Sequence, residues 1–235
     1  MIYFVGAGSG APDLITVRGA RLLSEADVIV YAGSLVNPAL LDYKKDGCEV
    51  YNSAKMTLEE VIAVMAPAAK AGKTVVRLHT GDPCVYGAHR EQMDELDRLG
   101  LAYEVCPGVS SFCGAAAALK AEYTLPNVSQ SVILTRMEGR TPVPAREQIE
   151  SLAAHGATMV IFLSAGQLEK LSARLIEGEI DRARVALTQK IRQQPGSFRG
   201  RLCTDFGKGD EFRVLHRLAS RKPVVNAGSY SLERS

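Results

Sequence analysis

Apolar residues in the first half of the chain fall into short runs separated by segments of helical spacing. The runs at residues 2–5, 28–31, 74–78 and 101–105 have the length and composition of buried strands. Apolar residues recur with helical spacing at 16–26, 57–71, 91–99 and 111–121, and Thr57 with Glu60 forms a capping box at the start of the second of these segments. Strands alternating with helices in this way predict a parallel α/β sheet.

The same alternation restarts after the turn at residues 123–126. A strand at 132–135, a helix at 145–154 and a strand at 158–163 are predicted there. We therefore place a domain boundary at this turn, with one α/β domain over residues 1–122 and a second over 123–235. From about residue 180 no further apolar strands are recognised, and the polar, basic stretch 189–208 predicts an irregular or poorly ordered segment.

Composition narrows the class of protein. The 235 residues are 46% hydrophobic and 23% charged, as in a globular protein, and the net charge of +2 is too small for a nucleic-acid-binding surface. The longest apolar run, 159–163, is far shorter than the roughly 18 residues of a membrane span. We therefore expect a cytoplasmic protein with neither nucleic acid nor membrane as partner. The five cysteines lack metal-ligand spacing, so we expect no metal site: Cys48, Cys84, Cys106, Cys113 and Cys203.

Glycine and proline turns follow four predicted strands, at 6–12, 31–34, 80–83 and 107–108. The carboxyl ends of parallel strands meet at one edge of a sheet, where α/β proteins bind ligands. In the third turn, Gly81 allows a ligand to approach the backbone and Pro83 fixes the chain direction. Asp82 is either a ligand-facing carboxylate or a turn residue that caps its own backbone. A nucleophilic role for Cys84 would need a nearby base, and His79 is the only candidate in this segment.

The first turn also fits the dinucleotide fingerprint, since Gly6, Gly8 and Ala11 have the required spacing. An acidic residue should then follow the second strand to bind the ribose hydroxyls, but residues 31–34 read Tyr-Ala-Gly-Ser. Pro12 also interrupts the start of the helix that would hold a pyrophosphate. A nicotinamide-dependent oxidoreductase and a tight turn without ligand contact both remain alternatives.

Five segments taken together resemble the tetrapyrrole methyltransferases of cobalamin biosynthesis: residues 6–16, 31–36, 80–83, 107–111 and 135–144. The last of them, with Glu-Gly-Arg-Thr-Pro, is the most specific, and it is similar to the members that methylate C11 of precorrin-4 or cobalt-precorrin-4. Ser9 stands where the family usually has proline. The resemblance implies two α/β domains with a cleft between them, a homodimer, and S-adenosylmethionine as the cofactor in that cleft.

The resemblance further implies which positions bind the cofactor, largely through the main chain. The matching residues are Thr80, Gly81, Asp82, Val85, Tyr86, Ser110 and Ser111, with Phe162 and Leu163 from the second domain. A sulfonium cation with an adenine and an amino-acid tail needs carbonyl acceptors, a carboxylate and an apolar slot, which these turns can supply. Methyl transfer of this kind depends on alignment of the reactants rather than on a single nucleophile.

The implied substrate is a macrocycle fringed with carboxylates, so hydrogen-bonding and basic groups are expected along its trough. The candidates are Gly8, Ser9, Arg77, Arg90, Arg136 and Arg140. For Arg77 a structural role is favoured over substrate binding, because it alternates within a strand and could pair there. His79 is a candidate proton acceptor or a core histidine, and Tyr31 a candidate hydrogen-bond donor or a packing residue. The presence of cobalt in the substrate ring stays open.

The end of the chain departs from the family pattern. One hypothesis is a shifted reading frame, because residues 219–223, read one nucleotide earlier, could encode Gly-Ile-Thr-Lys-Thr, which resembles the start of the family's closing strand. An uninterrupted gene with unrelated codons would discard this idea. An inactive scaffold is the corresponding functional alternative.

Overall fold

The computed structural model describes residues 1–33, 35–139, 141–177, 184–189, 199–203 and 214–215. Its first sheet has five strands: β1 (Ile2–Gly6), β2 (Val28–Tyr31), β3 (Glu49–Asn52), β4 (Val75–His79) and β5 (Tyr103–Cys106). Their order is β3-β2-β4-β1-β5, and every neighbouring pair is parallel. The predicted parallel α/β sheet is therefore confirmed.

Four helices accompany this sheet: α1 (Val17–Glu25), α2 (Leu58–Lys70), α3 (Arg90–Arg98) and α4 (Ser111–Leu119). The predicted capping box begins α2, since the Glu60 carboxylate accepts the Thr57 N–H at 2.8 Å and the Thr57 hydroxyl accepts the Glu60 N–H at 3.3 Å. Strand β3 was not predicted, because it lies at the edge of the sheet and its half-exposed sequence has no apolar run.

The two faces of the first sheet carry separate cores. Val5, Ile29 and Leu78 pack with α1 on one face, whereas Phe4 and Val30 pack with α2 and α3 on the other. Side chains alternate along a strand, so Arg77 and His79 of β4 lie on the α2 and α3 face. Arg77 and His79 are the polar residues of this face that are discussed below.

The second sheet has the order β10-β9-β8-β7-β6. Its strands are β6 (Val132–Arg136), β7 (Thr158–Phe162), β8 (Arg184–Gln189), β9 (Arg199–Cys203) and β10 (Val214–Leu215). Strands β6, β7 and β8 are parallel, and β8, β9 and β10 are antiparallel. The expectation of no strands beyond about residue 180 is wrong for β8, β9 and β10. Their apolar runs are too short to predict a strand from sequence, and backbone hydrogen bonds to neighbouring strands stabilise them.

The helices of the second half differ from expectation in two places. The predicted helix at 145–154 is divided into a 3-10 turn, Ala145–Glu147, and α5 (Ile149–Ala153), with Gln148 extended between them. Helix α6 (Leu168–Glu177) was not predicted, although it packs Leu171 into the core of the second sheet with Met159 and Ile161. Within the described ranges, no helix is long and apolar enough to cross a membrane.

Helix α4 connects the two halves, because it lies against β8 and β9 of the second sheet. The Tyr123 hydroxyl, just beyond α4, donates to the Phe112 carbonyl at 2.8 Å, and the Thr158 hydroxyl of β7 donates to the Tyr123 carbonyl at 2.9 Å. The domain boundary at residues 122 and 123 stays a prediction, and much of the chain beyond residue 177 lies outside the described residues.

Candidate active site at the junction of the two sheets

Three glycine loops meet at the carboxyl edge of the first sheet. A Cβ atom added to Gly108 would lie 2.2 Å from the Gly81 carbonyl oxygen, and one added to Gly6 would lie 2.5 Å from the Gly108 Cα. The Gly81 N–H donates to the Gly8 carbonyl at 3.0 Å, and the Gly8 N–H donates to the Gly81 carbonyl at 3.2 Å. Glycine is required here for close backbone packing, and the polar groups of Gly81 are satisfied by Gly8.

The Asp82 carboxylate joins two of these loops. Its Oδ1 accepts the Cys84 N–H at 2.7 Å, and its Oδ2 accepts the Gly108 N–H at 2.8 Å. The first bond is the turn-capping arrangement expected from the sequence. The second ties the turn after β4 to the turn after β5, so Asp82 holds the shape of this edge.

Two buried polar atoms beside Asp82 make no hydrogen bond within the described part of the chain: Thr80 Oγ1 and His79 Nε2. The His79 ring is 4% exposed and lies 5.8 Å from the rings of Phe4 and His89. Burial, with smaller contributions from Arg77 and His89, lowers the pKa of His79 to about 3. His79 is therefore neutral at physiological pH.

Cys84 is exposed as a residue, but partial desolvation of its thiol and the Asp82 carboxylate both raise the pKa of that thiol. A raised thiol pKa leaves less of the nucleophilic thiolate. The structure gives no support to Cys84 as a nucleophile.

The start of α4 faces the glycine loops. Ser110 is buried at the N-cap position, yet its side chain makes no capping bond. The Cβ position of Gly81 lies 3.4 Å from the Ser111 nitrogen, so the turn after β4 packs directly against this helix end. A helix N-terminus presents N–H groups and a partial positive charge, which suit an anionic group.

The second sheet contributes the end of β7 to the same place. The Phe162 ring lies 5.1 Å from the Tyr86 ring, and Val85 packs in the same cluster. Tyr86 and Leu163 have left-handed backbones, with φ of 54° and 57°, and Leu163 is 66% exposed. Such backbones are uncommon for large side chains and concentrate at binding sites. The structure thus brings the predicted cofactor residues of both halves together.

The predicted substrate residues are more scattered. Gly8 and Ser9 are buried in the loop after β1, and Arg77 is buried within the first sheet. Arg90 is exposed on α3 and forms an ion pair with Asp94. Arg140 lies outside the described residues.

Tyr31 and His79 are not brought together as a catalytic pair. Tyr31 packs with the core on the α1 side of the sheet, whereas His79 contacts Phe4 on the α2 and α3 side. The Tyr31 carbonyl accepts a hydrogen bond from the Ser53 hydroxyl at 3.1 Å, which links the ends of β2 and β3.

Arg136, the last residue of β6, holds the loop that follows it. Its guanidinium donates to the Thr141 hydroxyl at 2.7 Å and to the carbonyl oxygens of Thr141 and Pro142 at 3.2 Å and 3.1 Å. Its charge acts to lower the pKa of Tyr86, although burial raises that pKa overall. Arg136 pairs with Phe162 in the register of β6 and β7, so its backbone lies next to one member of the aromatic pair.

Glu138 in this loop faces α6. It accepts from Lys170 at 2.8 Å and from Arg174 at 2.7 Å and 2.9 Å, and these bonds lower its pKa to about 2. In the sequence, Glu138 lies between the predicted substrate residues Arg136 and Arg140. Its partners were missed because α6 was not recognised from the sequence.

Comparisons with known proteins agree with this geometry. Residues 1–192 match a family model described as Tetrapyrrole (Corrin/Porphyrin) Methylases. A cobalt-precorrin-4 C(11)-methyltransferase of Methanocaldococcus jannaschii is 56% identical over 177 residues, which is 75% of this chain and 68% of the relative.

Two solved structures share the fold. The X-ray structure of a cobalt precorrin-4 methyltransferase, CbiF, is similar with a TM-score of 0.74 and 48% identity, over 78% of this chain and 77% of that one. A uroporphyrin-III C-methyl transferase of Thermus thermophilus in complex with S-adenosyl homocysteine has a TM-score of 0.67 and 25% identity, over 86% and 82% of the two chains.

Proposed function

Because the chain belongs to the tetrapyrrole (corrin/porphyrin) methylase family, we propose that it transfers a methyl group from S-adenosylmethionine to C11 of a precorrin-4-type ring in cobalamin biosynthesis. The proposal rests on one juxtaposition. The turn after β4 and the start of α4 meet the end of β7, where Tyr86 and Phe162 lie 5.1 Å apart. This junction offers hydrogen-bonding groups on one side and aromatic surface on the other.

The residues at the junction fit the cofactor. The buried Thr80 hydroxyl, which has no partner among the described residues, is available to a polar ligand group. The N–H groups at the start of α4 suit the carboxylate of the methionine part, and the rings of Tyr86 and Phe162 suit an adenine. When bound, S-adenosylmethionine supplies an electrophilic methyl group and leaves as a neutral thioether.

The chain's own contribution to the reaction is alignment and exclusion of water. Asp82 locks the turn after β4 onto the turn after β5, which fixes one wall of the junction. Correct alignment of two reactants is worth up to about 7–11 kcal/mol of the barrier. His79, with a pKa of about 3, is a weak base at neutral pH, so we assign it to the support of this wall rather than to proton transfer.

Arg136 is the basic residue that we propose contacts the substrate's carboxylate fringe from the second sheet. Arg136 ends β6 opposite Phe162 of β7, and its charge acts to lower the pKa of Tyr86. Tyr31 packs on the α1 side of the sheet and Arg90 is paired with Asp94 on the exposed side of α3, so we assign neither of them to the substrate. The homodimer stays a prediction, which light scattering of the purified chain would test.

The decisive experiment is methyl transfer by the purified chain. The protein is incubated with S-adenosylmethionine carrying a carbon-13 methyl group and with cobalt-precorrin-4 or metal-free precorrin-4 in parallel. We expect one labelled methyl on the ring, located at C11 by carbon-13 NMR, and the faster of the two reactions identifies the preferred ring. Binding of S-adenosylhomocysteine without transfer to either ring would contradict the proposal and favour the inactive scaffold.

A variant of the aromatic pair provides the matched control. Phe162→Ala should weaken S-adenosylhomocysteine binding, because an aromatic contact contributes about 0.5–1.5 kcal/mol beyond its buried area. Tyr51→Leu, on the edge strand β3, changes an aromatic residue two strands away from β4 and should leave that affinity unchanged. Equal affinities for the two variants would place the cofactor elsewhere.

A further inference from the structure

A cavity of about 230 Å³ opens between β4 and the starts of α2 and α3. Its lining includes Ser53, Thr57, Arg77, Glu91 and Gln92. Thr57 caps α2, and Glu91 and Gln92 belong to the first turn of α3, so two helix N-termini border the same space. Helix N-termini favour anions. The residues of the cavity wall give stronger evidence for an anionic ligand.

Arg77 is the unusual component of this wall. It is only 6% exposed, and its guanidinium makes two hydrogen bonds, from Nε to Gln92 Oε1 at 2.9 Å and from Nη1 to the Val30 carbonyl at 3.2 Å. Both acceptors are neutral, and among the described residues no carboxylate forms a salt bridge with Arg77. Buried charges in proteins are normally paired, so a buried guanidinium at a cavity with no carboxylate partner among the described residues favours an anionic ligand as that partner.

The donor geometry of Arg77 is fixed by its neighbours. Gln92 Nε2 donates to the Ala88 carbonyl at 3.1 Å, which turns the amide oxygen of Gln92 toward Arg77. With Nε and Nη1 held in this way, Nη2 makes no bond to the described residues and remains for a ligand. Burial lowers the pKa of Arg77 to about 10, so the guanidinium is still charged at neutral pH.

The charge balance favours a small monoanion. Arg77 contributes one positive charge, and among the described lining residues Glu91 is the only carboxylate, with an exposed side chain. A monoanion neutralises Arg77, whereas a dianion leaves one excess negative charge next to Glu91. A carboxylate group matches this requirement better than a phosphate dianion does.

We propose that this cavity binds one carboxylate group of the tetrapyrrole substrate, with Arg77 Nη2 as the donor. The inference rests on the proposed function, because that function supplies a substrate with carboxylates at its periphery. Arg77 would thereby fix the rotation of the macrocycle relative to the cofactor junction. Its role is one of substrate binding and positioning.

The first test compares Arg77→Gln with Arg98→Gln. Arg98 lies on the exposed end of α3 and pairs with Glu95, so its replacement removes the same charge outside the cavity. We expect Arg77→Gln to raise the KM for the precorrin ring about 10- to 100-fold, as for the loss of a hydrogen bond to a charged group, with the affinity for S-adenosylhomocysteine unchanged. Arg98→Gln should change neither quantity. An unchanged KM in Arg77→Gln overturns the inference.

The second test is a titration of the wild-type chain, and a variant is used only to assign one signal. The Nε–H signal of Arg77 in protein labelled with nitrogen-15 arginine is followed during titration with sodium acetate, sodium phosphate and sodium chloride at equal ionic strength. The protein is saturated with S-adenosylhomocysteine, and Arg77→Lys identifies the signal by its disappearance. A saturable shift with acetate supports the inference.

A shift with phosphate alone, or with none of the anions, overturns it. The titration needs no methyl transfer, so failure of the proposed function and failure of this inference give different results. Transfer to the ring with no acetate shift would leave the proposed function intact and remove the Arg77 site.

Discussion

Asp82 and Gly108 lie on loops that follow different strands, and the Asp82 carboxylate accepts the Gly108 N–H at 2.8 Å. The same carboxylate accepts the Cys84 N–H at 2.7 Å. One side chain thus holds together two of the loops that form the candidate cofactor wall. Its removal should affect both stability and binding.

Asp82→Ala leaves two backbone N–H groups without their acceptor. We expect the free energy of unfolding to fall by about 1–3 kcal/mol and S-adenosylhomocysteine binding to weaken. Urea denaturation and titration calorimetry measure the two effects. Asp94→Ala, which removes a surface carboxylate paired with Arg90, should cost no more than about 1 kcal/mol. Similar losses in the two variants would show that Asp82 does not organise the loops.

Gly108→Ala tests the close contact of the glycine loops. The added Cβ would lie 2.2 Å from the Gly81 carbonyl oxygen, so the loops must separate. We expect destabilisation of about 1–3 kcal/mol or more, together with loss of S-adenosylhomocysteine binding. Gly166→Ala is the control, because its Cβ meets no atom within 4 Å. Wild-type binding by Gly108→Ala would exclude these loops from the cofactor site.

His79 should make the protein less stable as the pH falls. Its pKa is about 3 in the folded chain against 6.5 ordinarily, so below about pH 6.5 the unfolded chain takes up a proton that the folded chain does not. Stability is therefore lost between about pH 6.5 and 3, and His79→Gln should show a shallower loss in urea denaturation over this range. His155→Gln, at an exposed histidine, should keep the wild-type slope.

Glu138 contributes stability in a more acidic range. Its bonds to Lys170 and Arg174 lower its pKa from 4.5 to about 2. The depressed pKa stabilises the fold fully above about pH 4.5, and this contribution disappears as the pH falls through about 2. Glu138→Gln should weaken the acid sensitivity measured by thermal unfolding, whereas Glu104→Gln on the exposed side of β5 should not. Equal acid sensitivity in both variants would contradict the ion-pair network.

Much of the first sheet could be predicted from the sequence. The apolar runs of β1, β2 and β4 and the capping box of Thr57 and Glu60 are local patterns, and the structure confirms them. The glycine and proline turns also predicted a candidate ligand-binding edge, because a tight turn after a buried strand is encoded within a few residues. Strand β3 and helix α6 were not predicted, since an exposed edge strand and a helix with a polar face give weaker patterns of apolar residues in the sequence.

The pairings between distant segments were decided by the tertiary structure alone. Tyr86 meets Phe162, and Glu138 turns toward Lys170 and Arg174, only after the two sheets and α6 have packed. The surroundings of Arg77, which has no carboxylate partner within the described part of the chain, likewise depend on which side chains α2 and α3 bring to β4. Local sequence determines which backbone conformations are favoured. Side-chain partners and cavities arise from packing between segments far apart in the chain, which no short-range pattern records.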